Sequence, residues 1–246
     1  MSTTRWRSIP LLNAPGVVQM AIDRWLFEQH DRGLMPPVLR FYTWSEPTIS
    51  LGFHQRRYPE AWDRLTWRGT PVPLVRRPTG GRAVLHGGDL TYAVIGSELG
   101  GRREAYCRLC QFLVAGWRSL GLSLQFGQAR STELRTQANC FALATGADLV
   151  YSGDEASIDK FIGSAQYWHG STVLQHGSMA IAPDRDLYQA VFGREPPRLP
   201  VPPLPLPQIV EALTAAAGAT LNIDLETQPL SDREWADIQA NIQADI

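Results

Sequence analysis

Arg76-Arg77-Pro78-Thr79-Gly80-Gly81-Arg82-Ala83-Val84-Leu85-His86 leads, two glycines later, into Asp89-Leu90-Thr91-Tyr92-Ala93-Val94-Ile95. Pro73 to Arg77, Arg82 to His86 and Asp89 to Ile95 read as strands, and Gly80-Gly81 as the tight turn between the first two. Upstream, Pro36-Pro37 introduces a third kind of run, Val38 to Trp44, aromatic and β-branched and therefore a strand; Thr48 to Gly52 is a shorter one. Val17, Met20, Ala21, Leu26 and Phe27 recur at helical spacing with Pro15 suited to the first turn, so a helix is expected over 14–26 and a second around 58–67. Downstream, 102–120 reads as the longest amphipathic helix, stopped by Gly121, and strands are expected at 148–151, 161–167 and 172–181. A short helix over 184–192, a proline-rich polyproline-type segment at 196–207 and two weaker helices complete the chain. Strands outnumber helices without alternating with them, which predicts an α+β fold: a mixed, largely antiparallel sheet flanked by helices. The division expected is a catalytic domain over 1–195, a linker over 196–207 and a short helical tail over 208–246.

Composition excludes several function classes. The 246 residues hold 23 Lys or Arg, of which 22 are Arg and one, Lys160, is Lys. Lys160 is followed by Phe161, so no Walker A loop exists, and a kinase strand lysine behind a glycine-rich loop is missing too. Ser157-Ile158-Asp159-Lys160 spells Ser-x-x-Lys, but a β-lactamase needs a second lysine in Lys-Thr-Gly. A net charge of −1 provides no basic field for nucleic acid, and no apolar run is long enough to span a membrane. The odd cysteine count of 3 argues against a disulfide framework and for a reducing, cytoplasmic setting. The start of the chain carries Arg5 and Arg7 without an acid, yet leads straight into the first helix, so it reads as the start of the fold.

Four clusters carry chemistry. Adjacent glycines let backbone N–H groups approach a ligand without Cβ obstruction, and flanking arginines supply charge-assisted donors for a carboxylate or phosphate; a plain hairpin turn is the alternative. In Lys160-Phe161-Ile162-Gly163-Ser164-Ala165-Gln166, strand alternation places Lys160, Ile162 and Ser164 on one face, where the ammonium could hold an oxygen as charge develops on it. Cys140, in Ala138-Asn139-Cys140-Phe141, is either a small buried hydrophobe or, beside a cation, a nucleophilic thiolate. Cys107-Arg108-Leu109-Cys110 has redox spacing but lies inside the long helix, so core packing is expected. His86, His169 and His176 lack His-Glu-x-x-His spacing, and no metal site is expected.

Taken together, residues 76–86, Asp89 to Val94 and Lys160 to Gln166 resemble the biotin/lipoate protein ligase family. Leu174-Gln175-His176-Gly177-Ser178 and Tyr42-Thr43-Trp44-Ser45-Glu46-Pro47-Thr48-Ile49-Ser50-Leu51-Gly52 extend the resemblance over roughly residues 15–195. It implies a class II aminoacyl-tRNA synthetase/biotin ligase-like α+β catalytic domain, moving a lipoyl, octanoyl or biotinyl group onto one lysine of a small acceptor domain. It implies a substrate pocket formed by Arg76, Arg77, Thr79, Gly80, Gly81, His86, Gly163, Ser164 and Ala165, with Lys160 holding the acyl carbonyl.

The family contains two mechanisms. Cysteine-dependent octanoyltransferases are similar in Thr-Gly-Gly-Arg-Ala-Val-Leu-His and place a Cys-Phe about twenty residues before the lysine segment, where Cys140-Phe141 stands; this implies Cys140 as nucleophile. The usual Asp-Gly-Arg-Lys hairpin is replaced here by Glu155-Ala156-Ser157-Ile158-Asp159-Lys160. In this reading no cofactor is required, and the partners are octanoyl-acyl carrier protein and the lipoyl domains of 2-oxoacid dehydrogenases or the glycine cleavage H protein. The alternative is a lipoate–protein ligase using ATP and Mg²⁺ through lipoyl-AMP, with Cys140 structural. A third reading is a non-catalytic relative that binds acyl groups or lipoyl domains.

Overall fold

The computed structural model describes residues 4–127, 148–152, 158–197 and 201–244. In chain order the elements are β1 (Thr4–Ala14), α1 (Gly16–Asp31), β2 (Val38–Trp44), β3 (Thr48–Leu51), β4 (Thr66–Trp67), β5 (Thr70–Pro71), β6 (Leu74–Arg76), β7 (Val84–His86), β8 (Asp89–Ser97) and α2 (Arg102–Ser119). They continue with β9 (Gln125–Phe126), β10 (Asp148–Ser152), β11 (Ile158–His169), β12 (Thr172–Ala180), α3 (Arg185–Phe192), α4 (Leu206–Leu221), β13 (Ile223–Thr227) and α5 (Asp232–Ala244).

Eight strands form the main sheet in the order β13-β1-β2-β8-β12-β11-β10-β9. β13, β1 and β2 run parallel to one another and every other pairing is antiparallel, so the sheet is mixed and largely antiparallel, as expected. β8 and β12 sit at its centre and are buried along almost their whole length, and their polar members, among them Asp89, Thr91, Gln175, His176 and Ser178, are buried with the apolar ones. On one face α2 and α4 pack together, and Phe112 and Trp117 of α2 share a core with Leu90 and Phe161 of the sheet; on the other α1 and α5 pack together, and Ile22 and Leu26 of α1 share a core with Tyr42 and Ile95. Each of these side chains contributes about 1.5–3 kcal/mol on burial.

Three elements differ from expectation. Residues 58–67 do not form an α-helix: a short 3₁₀ segment, Glu60–Arg64, ends where Leu65 turns extended, and β4 and β5 follow as a hairpin. Arg68 (φ 50°) and Gly69 (φ 82°) occupy its two central positions, the double positive-φ turn that suits strand twist. The chain also begins with a strand, β1, ahead of the expected helix. Its pairing with β2 shifts register between Ile9 and Leu12, where Pro10 has no N–H to give the ladder. The third is β13, which separates the two C-terminal helices and becomes the outer strand of the sheet beside β1. Buried Arg7 holds that edge, donating to Glu234 at 2.6 and 2.9 Å and to the carbonyls of Gln228 and Pro229. Glu234 loses some solvation there, but the Arg7 contacts outweigh it and lower its pKa.

β3, β6 and β7 form a small second sheet that carries the glycine loop. No helix among the described residues is long and apolar enough to cross a membrane.

Candidate functional site

The loop between β6 and β7 is laid against the end of β3. Arg77 N donates to the Leu51 carbonyl at 3.0 Å and Phe53 N to the Thr79 carbonyl at 2.9 Å. A Cβ on Gly52 would stand 1.9 Å from the Gly81 carbonyl oxygen, so only glycine permits this approach. Gly81 itself has φ 94°, and this turns the loop back under the sheet.

The Arg77 guanidinium fixes the loop from inside. Nε and Nη2 donate to the Gly80 carbonyl, Nη2 also to Arg82 O at 2.6 Å, and Nη1 to Ser50 O and Oγ. Donors expected to face a carboxylate or phosphate are thus engaged with the protein's own oxygens. Arg76 points elsewhere: its Nη1 donates to the carbonyls of Gly52, Phe53 and Gln55, and it borders a separate groove with Phe53 and Tyr167.

Beneath the loop lies a small, largely apolar cavity that is partly open to solvent. Arg77, Gly80, Gly81, His86, Gly163, Ser164 and Ala165 all line it, so β7 and β11, more than seventy residues apart in sequence, meet there as the motifs implied. Thr79 is fully buried behind the loop and is not part of the lining. Ser164 turns its hydroxyl to Tyr92 at 2.8 Å. Cys140 lies outside the described residues.

Lys160 is buried, its ammonium 2.7 Å from Asp148 Oδ1, and is not among the side chains lining the cavity. The expectation that it shares a face with Ser164 is overturned by a bulge. Leu149 pairs with Ile162 but Val150 with Lys160, so Phe161 is an extra residue and the two-residue alternation breaks there. Asp148 pairs with Gly163, and Val150 lies two residues further along the same strand; Lys160 therefore shares its face with Asp148 and Gly163. Phe161 turns into the opposite core, edge-on to Trp117 at 4.8 Å.

Sequence reasoning missed two hydroxyl–imidazole–carboxylate chains. In the first, Ser50 Oγ is 2.8 Å from His86 Nε2, and His86 Nδ1 is 2.8 Å from Asp89 Oδ2. Asp89 also accepts from Thr91 Oγ1, Ser178 Oγ and Gly87 N. Burial pushes its pKa up, but His86 and these donors outweigh it and hold the carboxyl below its usual value. Trp44 stacks on the His86 ring at 3.8 Å and donates its indole N–H to Thr91.

In the second chain, Thr79 Oγ1 is 2.6 Å from His176 Nε2 and Asp23 Oδ2 is 3.0 Å from His176 Nδ1. Asp23 also takes Arg40 Nε at 2.8 Å and Tyr42 OH at 3.0 Å. Its pKa, pushed up by burial, is brought below the usual value by Arg40, His176 and Tyr42. Burial lowers the His176 pKa despite Asp23, with Arg77 and His86 acting in the same direction as burial. The signal available in the sequence was His86 three residues before Asp89; nothing local joined His176 to Asp23, 153 residues away. Cys110 is fully buried in α2 with its thiol pushed up to about 12 by burial, the core role expected of it.

A family model, the lipoyl protein ligase A/B catalytic domain, matches residues 15–231. Octanoyltransferase LipM of Moorella thermoacetica is 38% identical over 199 residues, 78% of this chain and 71% of that one. Octanoyltransferase LipM of Halalkalibacterium halodurans is 32% identical over 263 aligned residues, 95% of this chain and 93% of that one. Among solved structures, a Thermoplasma acidophilum protein with bound lipoic acid superposes with a TM-score of 0.79 at 22% identity, covering 98% of this chain and 96% of that one. Lipoate-protein ligase A bound with ATP gives 0.76 at 22% identity, covering 98% and 95%, and these likenesses extend the agreement from motifs to the fold. With its glycine loop, lysine segment and cavity arranged in this way, the chain belongs to the lipoyl protein ligase A/B catalytic domain family.

Proposed function

We propose that the protein is an octanoyltransferase of protein lipoylation, moving an octanoyl group from acyl carrier protein to the lysine of a lipoyl domain through a thioester on Cys140. The observation that carries this reading is the likeness to LipM octanoyltransferases over most of the chain. The cavity suits it. Its walls are largely apolar, and Arg77, the cationic side chain in the described lining, donates to the Gly80 and Arg82 carbonyls and to Ser50. Such an apolar lining suits an uncharged acyl chain.

In this mechanism Cys140, as thiolate, attacks the carrier thioester. The C–S bond to the carrier breaks and the acyl group moves to the Cys140 sulfur. The acceptor lysine then attacks the enzyme thioester and an amide forms. Lys160, fixed by Asp148, stabilises charge on the thioester oxygen. Neither step needs ATP or a metal ion, because the activation already resides in the incoming thioester.

The test is intact mass after mixing with octanoyl-acyl carrier protein, with and without ATP and free lipoate. The expected product is a hydroxylamine-sensitive octanoyl adduct that Cys140→Ala lacks. A Cys140→Ala protein that transfers normally, or transfer only with ATP and free acid, refutes the reading and supports the ATP-dependent ligase. Binding without turnover would support a non-catalytic role.

A further inference from the structure

The mechanism above leaves one proton without a destination. An acceptor lysine arrives as an ammonium near neutral pH and cannot attack until it gives that proton up. We infer that Ser50, His86 and Asp89 form a relay that takes the proton, with Ser50 as its cavity end and Asp89 as the positioning residue behind His86; this rests on the octanoyltransferase reading. Four observations support the assignment.

Ser50 and His86 both line the cavity, whereas Asp89 stands behind them, so the chain meets the cavity at its hydroxyl and imidazole end. The hydrogens can be assigned from the partners. An ionised Asp89 only accepts, so His86 carries its proton on Nδ1 and Nε2 is left as the acceptor. Arg77 Nη1 donates to Ser50 Oγ at 3.2 Å, which leaves the hydroxyl hydrogen of Ser50 for His86 Nε2. The ring cannot swing away, because Trp44 stacks on it and Asp89 is itself held by three donors. The Thr79–His176–Asp23 chain has similar geometry, and His176 also borders the cavity, but its hydroxyl, Thr79, is outside the lining and its carboxylate, Asp23, is tied to Arg40. That chain serves as scaffold.

The acceptor ammonium passes one proton to Ser50 Oγ as Ser50 passes its own to His86 Nε2, and Asp89 stabilises the imidazolium. The freed amine nitrogen attacks the thioester carbonyl, an N–C bond forms, and the C–S bond breaks with its electron pair leaving on the Cys140 sulfur. A second proton from the nitrogen restores the thiol, one hydrogen stays on the amide, and His86 releases its proton to water.

The charged and titratable groups around His86 are Asp89, Arg77 through Ser50, and His176, whose own pKa responds to it. Arg77 stays charged, so it holds Ser50 Oγ by the same donor throughout the titration.

The experiment separates the half-reactions. Octanoyl-enzyme is formed from octanoyl-acyl carrier protein and followed by mass. Its discharge by a lipoyl domain is then timed in single turnovers from about pH 6 to 9 for wild type, His86→Gln, Asp89→Asn and Ser50→Ala. Discharge is expected to fall about 100-fold near pH 7 in each variant, within the usual range for lost proton transfer. That deficit should shrink about tenfold per pH unit, as free amine replaces the missing base. Hydroxylamine, largely neutral near pH 7, should discharge the variants with far smaller loss. Asp89→Asn reverses the imidazole tautomer with little change of shape, and Ser50→Ala removes one oxygen, so either stands in if His86→Gln does not fold. Normal discharge by the variants, or a loss independent of pH and of nucleophile, overturns the relay alone. No adduct on the wild-type protein overturns the transferase reading and the relay with it.

Discussion

Asp23→Asn tests the buried scaffold behind the cavity. The carboxylate and the Arg40 guanidinium are 2.8 Å apart with side-chain exposures of 0% and 1%, so water screens neither. At an effective dielectric constant near 20, unit charges at that distance attract by about 6 kcal/mol, and desolvation of both ions offsets most of it. The intact pair is therefore close to neutral for stability, whereas removing one partner leaves a buried charge and costs about 3–5 kcal/mol. Asn must also serve Tyr42 OH and His176 Nδ1 with one oxygen and one NH₂ group, so the loss lies toward the upper end of that range. For a chain of this size that is a fall in melting temperature of about 6–20 °C. Urea unfolding at pH 7 of wild type, Asp23→Leu, Arg40→Met and Asp23→Leu/Arg40→Met completes a double-mutant cycle, with Asp23→Asn measured alongside. The double variant should recover most of the stability that each single variant loses, because an apolar pair replaces the ion pair. Additive losses, or less than about 1 kcal/mol for Asp23→Asn, would falsify the uncompensated-charge argument.

Lys160→Arg keeps the charge but forces a planar fork into a site built around a 2.7 Å ammonium–carboxylate contact; transfer is expected to drop at least about 100-fold, and near-normal turnover would show that the compact ammonium is unnecessary. Gly52→Ala pushes a methyl group into the Gly81 carbonyl and should cost about 1–3 kcal/mol with weakened acyl binding, measured by urea unfolding and by acyl-enzyme formation at limiting donor. Stability should decline with acid in two stages. His176 has a lowered pKa when folded, so its contribution is complete above its ordinary 6.5 and is lost as pH falls from there toward the folded value. Asp23 and Asp89, lowered from 3.8, contribute above that value and lose their share as pH drops below it. An unfolding free energy flat from about pH 7 to 3 would contradict both assignments.

Local chemistry made much of this protein legible. The glycine turn, the strand runs of β8 and β12, and helix α2 ending before Gly121 (φ 89°) follow from residue type and period alone. Short or exposed edges were less legible: β13 is half-exposed, its apolar alternation is confined to Ile223 and Leu225, and it pairs with β1 at the edge of the sheet. At the site, Arg77, the glycines and His86 could be named from their motif. The use of Arg77 as an internal brace could not, since its acceptors are the Gly80 and Arg82 carbonyls of the turn and Ser50 of β3, which meet only in the folded chain.

What the sequence by itself determined was the inventory: one lysine, an apolar glycine-flanked segment after it, and a histidine ending a glycine hairpin, enough to indicate the family. Tertiary structure decided which of these act together. Strand parity put Lys160 with Ser164, but one bulge at Phe161 moved it to the face of Asp148 and Gly163. Asp23 and His176 became partners only because α1 lies across β12. Propensity and period act over a few residues, whereas burial, charge pairing and proton relay depend on distances of about 3 Å that only packing sets.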